Sequence, residues 1–279
     1  VGEAEGKGVD LSLDYNKNFG SMWIQGRSTF TYATNKFLVN EEPEYASNLY
    51  YLSRVGNPLQ QTYGLIAERL FVDDVEVRNS PYQNFGEVRG GDIKYRDVNG
   101  DGQITSLDVV PLGLPTNLEI VYDFGLSMGY KNFDLSGFFQ GSGRSSFWID
   151  PRLITPFAFN GGAQNGLLEV IANDYWSETN RNVTAFWPRL DQNISSNNTQ
   201  TSNWWMRNGS FLRLKNVELG YNISEKALRR LHIGSIRLYA NGTNLFVKSS
   251  FKLWDPEQGS NGLGYPVQKV FNFGMNVQF

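Results

Sequence analysis

The chain has 279 residues, of which 40% are hydrophobic and 14% aromatic, with 29 glycines and a formal charge of −3 from 25 Lys and Arg against 28 Asp and Glu. There is no Cys and a single His, His232. That excludes disulfide scaffolds, thiolate metal sites, thiol catalysis and multi-histidine metal centres. The balanced charge lacks the basic stripe of a nucleic-acid binder. Abundant Gly and aromatic residues favour β-structure over a helical bundle or disorder.

In chain order, the dominant signal is period-two alternation. Val9, Leu11, Leu13 and Tyr15 alternate with Asp10, Ser12 and Asp14. After a turn-rich link at 16–20 come Met22, Ile24, Phe30 and Tyr32, with Gln25, Arg27 and Thr29 opposite. From Leu118 to Tyr130, apolar residues alternate with Glu119, Val121, Asp123, Gly125, Ser127 and Gly129. This run predicts a strand of about 43 Å at ~3.3 Å per residue, long for a globular protein. Ile120, Tyr122, Phe124, Leu126 and Met128 are expected to face lipid, and Asp123, Gly125 and Ser127 the lumen. The two-residue link Lys131-Asn132 predicts a tight hairpin into Phe133, Leu135, Gly137 and Phe139. In 211–221 the phase slips at Lys215-Asn216, which predicts a bulge. Ile236, Leu238 and Ala240 follow, and Phe271, Phe273, Met275, Val277 and Phe279 close the chain.

About eight such strands are counted. Their links alternate between short (16–20, 131–132, 222–232) and long (33–117, 144–208, 247–267). Long structureless loops argue against a compact soluble domain, whereas short periplasmic turns and long external loops suit an outer-membrane barrel. No apolar run reaches the ~20 residues of a membrane helix, which leaves a β-barrel open. Tyr130, Phe133, Tyr221 and Phe279 would form a periplasmic aromatic girdle. The competing reading is a soluble β-sandwich with its apolar faces packed together. Strand length and link asymmetry favour the barrel. The chain opens on Val1 without a signal-like segment, as expected after signal removal or for an internal piece of a longer protein.

Several stretches closely resemble the C-terminal part of SusC/RagA-type TonB-dependent transporters: GDIKYRDVNGDGQITSLDVVPLG (91–113), YDFGLSMGYKNFDLSGFFQGSGRSSF (122–147), WWMRNGSFLRLKNVELGYNIS (204–224) and IRLYANGTNLF (236–246). The resemblance is weakest over 33–85 and 148–203. It implies that residues 1–279 are the C-terminal part of an antiparallel transmembrane β-barrel of 22 strands, with the plug and N-terminal barrel strands absent from this chain. It implies TonB-dependent import of a glycan or peptide nutrient across the outer membrane of a Bacteroidetes-like Gram-negative bacterium. It also implies three partners: a SusD-like surface lipoprotein, TonB-ExbB-ExbD acting through the missing N-terminal part, and outer-membrane lipid. Phe279 resembles the terminal aromatic that barrel-assembly machinery reads. The alternative function is a soluble surface glycan-binding β-protein. A β-rich glycoside hydrolase is disfavoured, because no carboxylate pair stands out by its spacing. The chain is therefore expected not to be an enzyme and to use no organic cofactor.

Residues 97–108 follow the spacing of a calcium loop. Asp97, Asn99 and Asp101 supply oxygens at positions 1, 3 and 5, and Gly102 makes the turn at position 6. Gln103 offers its carbonyl, and Thr105 and Asp108 fall at positions 9 and 12. The same string also suits a turn-forming Asn-Gly/Asp-Gly segment, so Ca²⁺ is the only candidate cofactor. Trp176, Trp187, Trp204 and Trp205 lie in the predicted loops and are the candidate substrate-stacking residues, with Trp254 beside a loop. Loop packing or interface anchoring is the competing use. Six Asn-x-Ser/Thr sequons read as compositional accidents in a bacterial barrel, and His232 reads as part of a solvated turn.

Overall fold

The computed structural model describes residues 2–157, 159–160, 163–164, 166–224, 233–260 and 262–278. Seven long strands form one antiparallel sheet: β1 (Glu3–Phe19), β2 (Met22–Val39), β3 (Ile120–Tyr130), β4 (Phe133–Gly143), β5 (Phe211–Asn222), β6 (Ser235–Ser249) and β7 (Val270–Gln278). They are hydrogen-bonded in chain order, each to the next, with β1 and β7 at the edges. The sheet is a barrel segment that does not close on itself within this chain. Among the described residues the sheet has seven long strands, close to the eight or so expected.

The strands run further than the alternation suggests. β1 has 17 residues and β2 has 18, which is roughly 60 Å at ~3.4 Å per residue. The β1–β2 turn shrinks from 16–20 to Gly20 and Ser21, where Gly20 takes φ +62. At the other end, 33–39 stay paired with 3–8, so the next link begins at residue 40. The long run expected at 118–130 shortens to Ile120–Tyr130, and Glu119, just before it, pairs with Arg144 at 2.7 Å. The Lys131-Asn132 hairpin forms as expected, with Lys131 at φ +55.

Cross-strand register aligns the apolar residues on one face. Phe19, Met22, Tyr130, Phe133, Tyr221, Leu238 and Met275 form one row of direct partners. Tyr15, Gly26, Leu126, Gly137, Val217, Gly242 and Phe271 form another. Between them Met128 and Leu135 pair with Ile24 and Leu219. The phase slip at Lys215 is a bulge: Leu214 pairs with Phe139 and Asn216 with Phe138, which leaves Lys215 extra. One inserted residue keeps Leu212 and Leu214 on the apolar face despite the broken alternation. A second irregularity on β6, with Asn244 at φ +55, matches it.

This apolar face has no protein against it. Leu126 is 47% exposed and Phe273 83%, and among the described residues no second sheet packs on the rows. The sandwich expectation therefore fails. A face this broad is the lipid face of a barrel wall, where backbone groups are satisfied by the sheet itself. Tyr130, Phe133 and Tyr221 stand side by side at its lower end, with the Phe133 and Tyr221 rings 4.7 Å apart. Phe279, the fourth girdle residue and the candidate assembly signal, lies outside the described residues, as does His232.

The opposite face is polar and internally paired. Asp10 accepts from Thr31, Arg27 donates to Asp14, and Thr29 donates to Asp123. Arg237 bridges Asp134 and Glu218 at 2.5 and 2.7 Å. Tyr239 lies over Gly274 so closely that a Cβ there would fall 2.3 Å from the ring.

The hydrophobic core is built elsewhere. Leu65, Leu70, Ile93, Tyr95, Ile104, Ile149, Ile171, Trp187, Trp205 and Phe251 pack as one buried cluster, and none of them belongs to a long strand. The links 40–119, 144–210 and 250–269, expected to be structureless, fold together into a cap at one end of the sheet. Arg213 of β5, 2% exposed, fastens the third link through Asp255 and Glu257, both at 2.5 Å. Phe251 completes the clasp by packing edge-on against Phe147 and Trp254.

Candidate functional site

The cap is assembled from residues far apart in sequence. Gln83 donates to Asn197 at 2.7 Å, Asn197 donates to the Ile93 carbonyl, and the Tyr95 hydroxyl donates to the Asn197 carbonyl at 2.8 Å. Asn198 donates to Asp92 and accepts from the Ile93 amide. Asn197 is fully buried within these bonds, so its sequon is unavailable for modification. Burial pushes the Asp92 carboxyl up, against the pull of Arg189 at 2.9 Å. Burial likewise raises the Tyr95 phenol. A polar network of this kind specifies one arrangement of the links, because each unsatisfied member would cost its desolvation.

Glu76 is the charged hub of the first link. It accepts from Arg69, Lys94 and the Val72 amide at 2.5–3.0 Å. Burial opposes its ionisation, yet these donors hold the carboxyl at about 2, below its ordinary 4.5. A group lowered on folding contributes stability above its unfolded value and loses it as pH falls through the folded one. Partial exposure reduces the contribution to about 1–2 kcal/mol. The stability difference between the wild type and Glu76→Gln is therefore expected to be largest at neutral pH. It should fade between pH 4.5 and 2. Cap opening followed by hydrogen exchange checks this; a difference independent of pH would contradict it.

The four sequence-nominated tryptophans all lie in the cap. Trp205 is 1% exposed and donates to the Asn198 carbonyl at 2.8 Å. Trp187 packs against it, with ring centroids 5.2 Å apart. Trp176 is also buried, against Gly91, and lines a cavity of about 650 Å³ together with Arg89, Arg181, Glu178 and Asp74. Trp204 is half-buried and lines a separate cavity of about 400 Å³. The structure thus does not bring the four indoles to one surface. Trp176, Trp187 and Trp205 belong to the buried core, Trp176 also edging the first cavity, and Trp204 alone is half-buried at the second.

The loop at 97–108 closes on its own backbone. Asp97 accepts from the Gly100 and Gly102 amides, Asp101 from the Gln103 amide, and Asn99 from the Asp101 amide. Asp108 accepts from the Val98 and Thr105 amides at 2.8 and 2.7 Å, and Thr105 caps Leu107. Gly100 and Gly102 take φ +76 and +83, as such turns require. Among the described residues no three His, Asp or Glu side chains gather as a metal site.

Residues that composition and motif did not single out also line the cavities. Arg207 and Phe186 accompany Trp204, and Tyr175 and Arg189 accompany Trp176. The tryptophans were visible as rare loop aromatics; an arginine at 207 carries no signal of its own among 25 basic residues.

No family model matches the chain. It is 26% identical to TonB-dependent receptor P3 of Formosa agariphila over a 312-residue alignment that covers all of the chain and 29% of the relative. It is 34% identical to receptor P26 of the same organism, over 69% of the chain and 20% of the relative. TonB-dependent receptor SusC of Bacteroides thetaiotaomicron is 28% identical over 71% of the chain and 19% of its own length. The fold matches a chain of the RagAB peptide importer in its open-open state with a TM-score of 0.72 and 21% identity, covering 100% of this chain and 29% of that one. The chain thus spans less than a third of the proteins it matches. In its alternating strands, its one-sided links and these similarities, it belongs to the TonB-dependent receptors, as a segment of their barrel.

Proposed function

We propose that the protein serves TonB-dependent import of a glycan or peptide nutrient across a Gram-negative outer membrane. In this reading residues 1–279 form the C-terminal part of a 22-stranded barrel, and the plug and the TonB-contacting portion belong to the rest of the whole protein. A SusD-like lipoprotein sits over the cap formed by the long links. The chain has no enzymatic role; its named relatives are receptors. One observation carries the reading. A single seven-stranded sheet has an uncovered apolar face, a paired polar face and all its long links folded at one end. That construction suits a wall between lipid and an aqueous lumen with an external mouth.

The expected result is that the protein sediments with outer membranes, resists carbonate extraction and shifts mobility on heating before electrophoresis. Nutrient uptake should stop when TonB is removed. Recovery in the soluble fraction, or uptake unaffected by loss of TonB, would overturn the proposal.

A calcium ion on residues 97–108 is part of the proposal and rests on the spacing of Asp97, Asn99, Asp101, Gln103, Thr105 and Asp108. Calcium is expected to protect the amides of 97–108 from hydrogen exchange, and Asp97→Asn to abolish that protection. Identical exchange with calcium and with chelator would leave the loop a plain turn.

A further inference from the structure

The second cavity of the cap, about 400 Å³, is lined by Asp174, Thr184, Phe186, Asn203, Trp204 and Arg207, among others. Its size falls within the range of small-molecule sites. Arg207 is the unusual member. Its Nη1 donates to the carbonyls of Trp204 and Met206, both at 2.8 Å, and its guanidinium lies 5.7 Å from the centre of the Phe186 ring. Among the described residues it forms no ion pair. The cap's other well-buried arginines do: Arg189 holds Asp92 and Asp191, and Arg213 holds Asp255 and Glu257. Asp174 lines the same cavity, but its carboxylate accepts from the Phe186 amide at 2.9 Å and from Asn182. Burial also depresses the Arg207 guanidinium. A half-buried cation without a counter-ion is costly, and a bidentate carboxylate is the partner its planar fork best fits.

The remaining wall describes the rest of the ligand. The Trp204 indole is fixed by its N–H to the Phe186 carbonyl at 3.3 Å, so its orientation is set in advance. Asn203 accepts from the Ala67 amide through its carbonyl oxygen at 2.7 Å, which turns that oxygen away and leaves its NH₂ to donate. The Thr184 hydroxyl donates to Asn182 and can still accept. An aromatic face, a hydroxyl-binding amide and hydroxyl, and a carboxylate-binding fork suit a compact hydroxylated ring that carries a carboxylate. An acidic peptide side chain would satisfy Arg207 alone and leave Trp204 and Asn203 unused.

We infer that the cavity between Trp204 and Arg207 binds a uronic-acid unit, with its carboxylate on Arg207 and its ring against Trp204. The inference rests on the import reading and names the class of nutrient recognised at the mouth.

The test is calorimetric titration of the detergent-solubilised whole receptor with three probes. They are an oligosaccharide ending in glucuronic acid, its glucose-ended counterpart, and a glutamate-rich tetrapeptide. The acidic sugar is expected to bind at least about tenfold tighter than the neutral one, the size of a lost charge-assisted hydrogen bond. R207Q should erase that preference while keeping the weaker binding of the neutral sugar; any fall in melting temperature comes from the lost bonds to the Trp204 and Met206 carbonyls and is the same with and without sugar. An R207Q variant that still prefers the acidic sugar would overturn the inference. R207K should keep part of the preference, and W204A should weaken both sugars. Equal affinity for the two sugars, no sugar binding, or peptide binding as tight as that of the acidic sugar would each overturn the site. Uptake that persists while uronate binding fails overturns the site alone. Loss of outer-membrane location with uronate binding intact overturns the import reading alone.

Discussion

Leu126→Arg is expected to cost the barrel wall about 2–4 kcal/mol, whereas Ser127→Arg, one residue along the same strand, costs less than about 1 kcal/mol. Leu126 stands on the apolar face between Gly26 and Gly137 and is 47% exposed. It lies four residues from the Tyr130 girdle, about 13 Å along the strand. That places it near the middle of an apolar band ~25 Å tall. A cation there has neither water nor a counter-ion. Ser127 pairs with Gln25 and Ser136 on the polar face, where an arginine side chain reaches water. Heat-modifiable mobility of the folded barrel, and its yield in outer membranes, measure the two variants. Equal losses would mean that the face carrying Leu126 is not in lipid.

The second large effect is expected in the cap. Trp205→Ala removes a side chain that is 1% exposed, packs against Trp187 and Phe186, and donates to the Asn198 carbonyl. Truncation of a buried aromatic costs about 3–5 kcal/mol. The loss should appear as early proteolysis within 40–119 and 144–210 while the strands stay folded, because the core shares no residue with the sheet. Tyr50→Ala, at 74% exposure, should change stability by less than about 0.5 kcal/mol. Similar protease sensitivity of the two variants would show that the links are not a cooperative unit.

Both predictions depend on a division of labour that is unusual for a 279-residue chain. Its longest apolar surfaces face outward, and its buried core lies in the connections. A soluble domain places them the other way round, because water drives the strand faces together. Here the rows Leu126–Gly137–Val217 and Met128–Leu135–Leu219 are left for lipid. The cap has to hold itself together in water with Trp187, Trp205, Ile93 and the Asn197 network.

The sequence alone was enough to find most of the long strands and their alternating faces, the Lys131 hairpin and the bulge at Lys215. Each is a local property: side chains alternate along a strand, and one inserted residue shifts the phase visibly. It was not enough to show that 33–39 extend β2, since Ala33 to Val39 lose clean alternation and are held by β1 and not by their own pattern. Nor could it separate Trp205, a core residue, from Trp204, a cavity wall, although the two are adjacent. That difference comes from partners such as Phe186, Trp187 and Asn198. The carboxylates of 97–108 have the spacing of an ion loop, and it is the fold that shows which backbone amides their oxygens also meet. The link core rests on contacts such as Gln83 to Asn197, 114 residues apart. Periodicity is read between neighbours in sequence, whereas burial and ion pairing are decided by which distant segments meet. For this protein the first determined the wall, and only the second decided the cap.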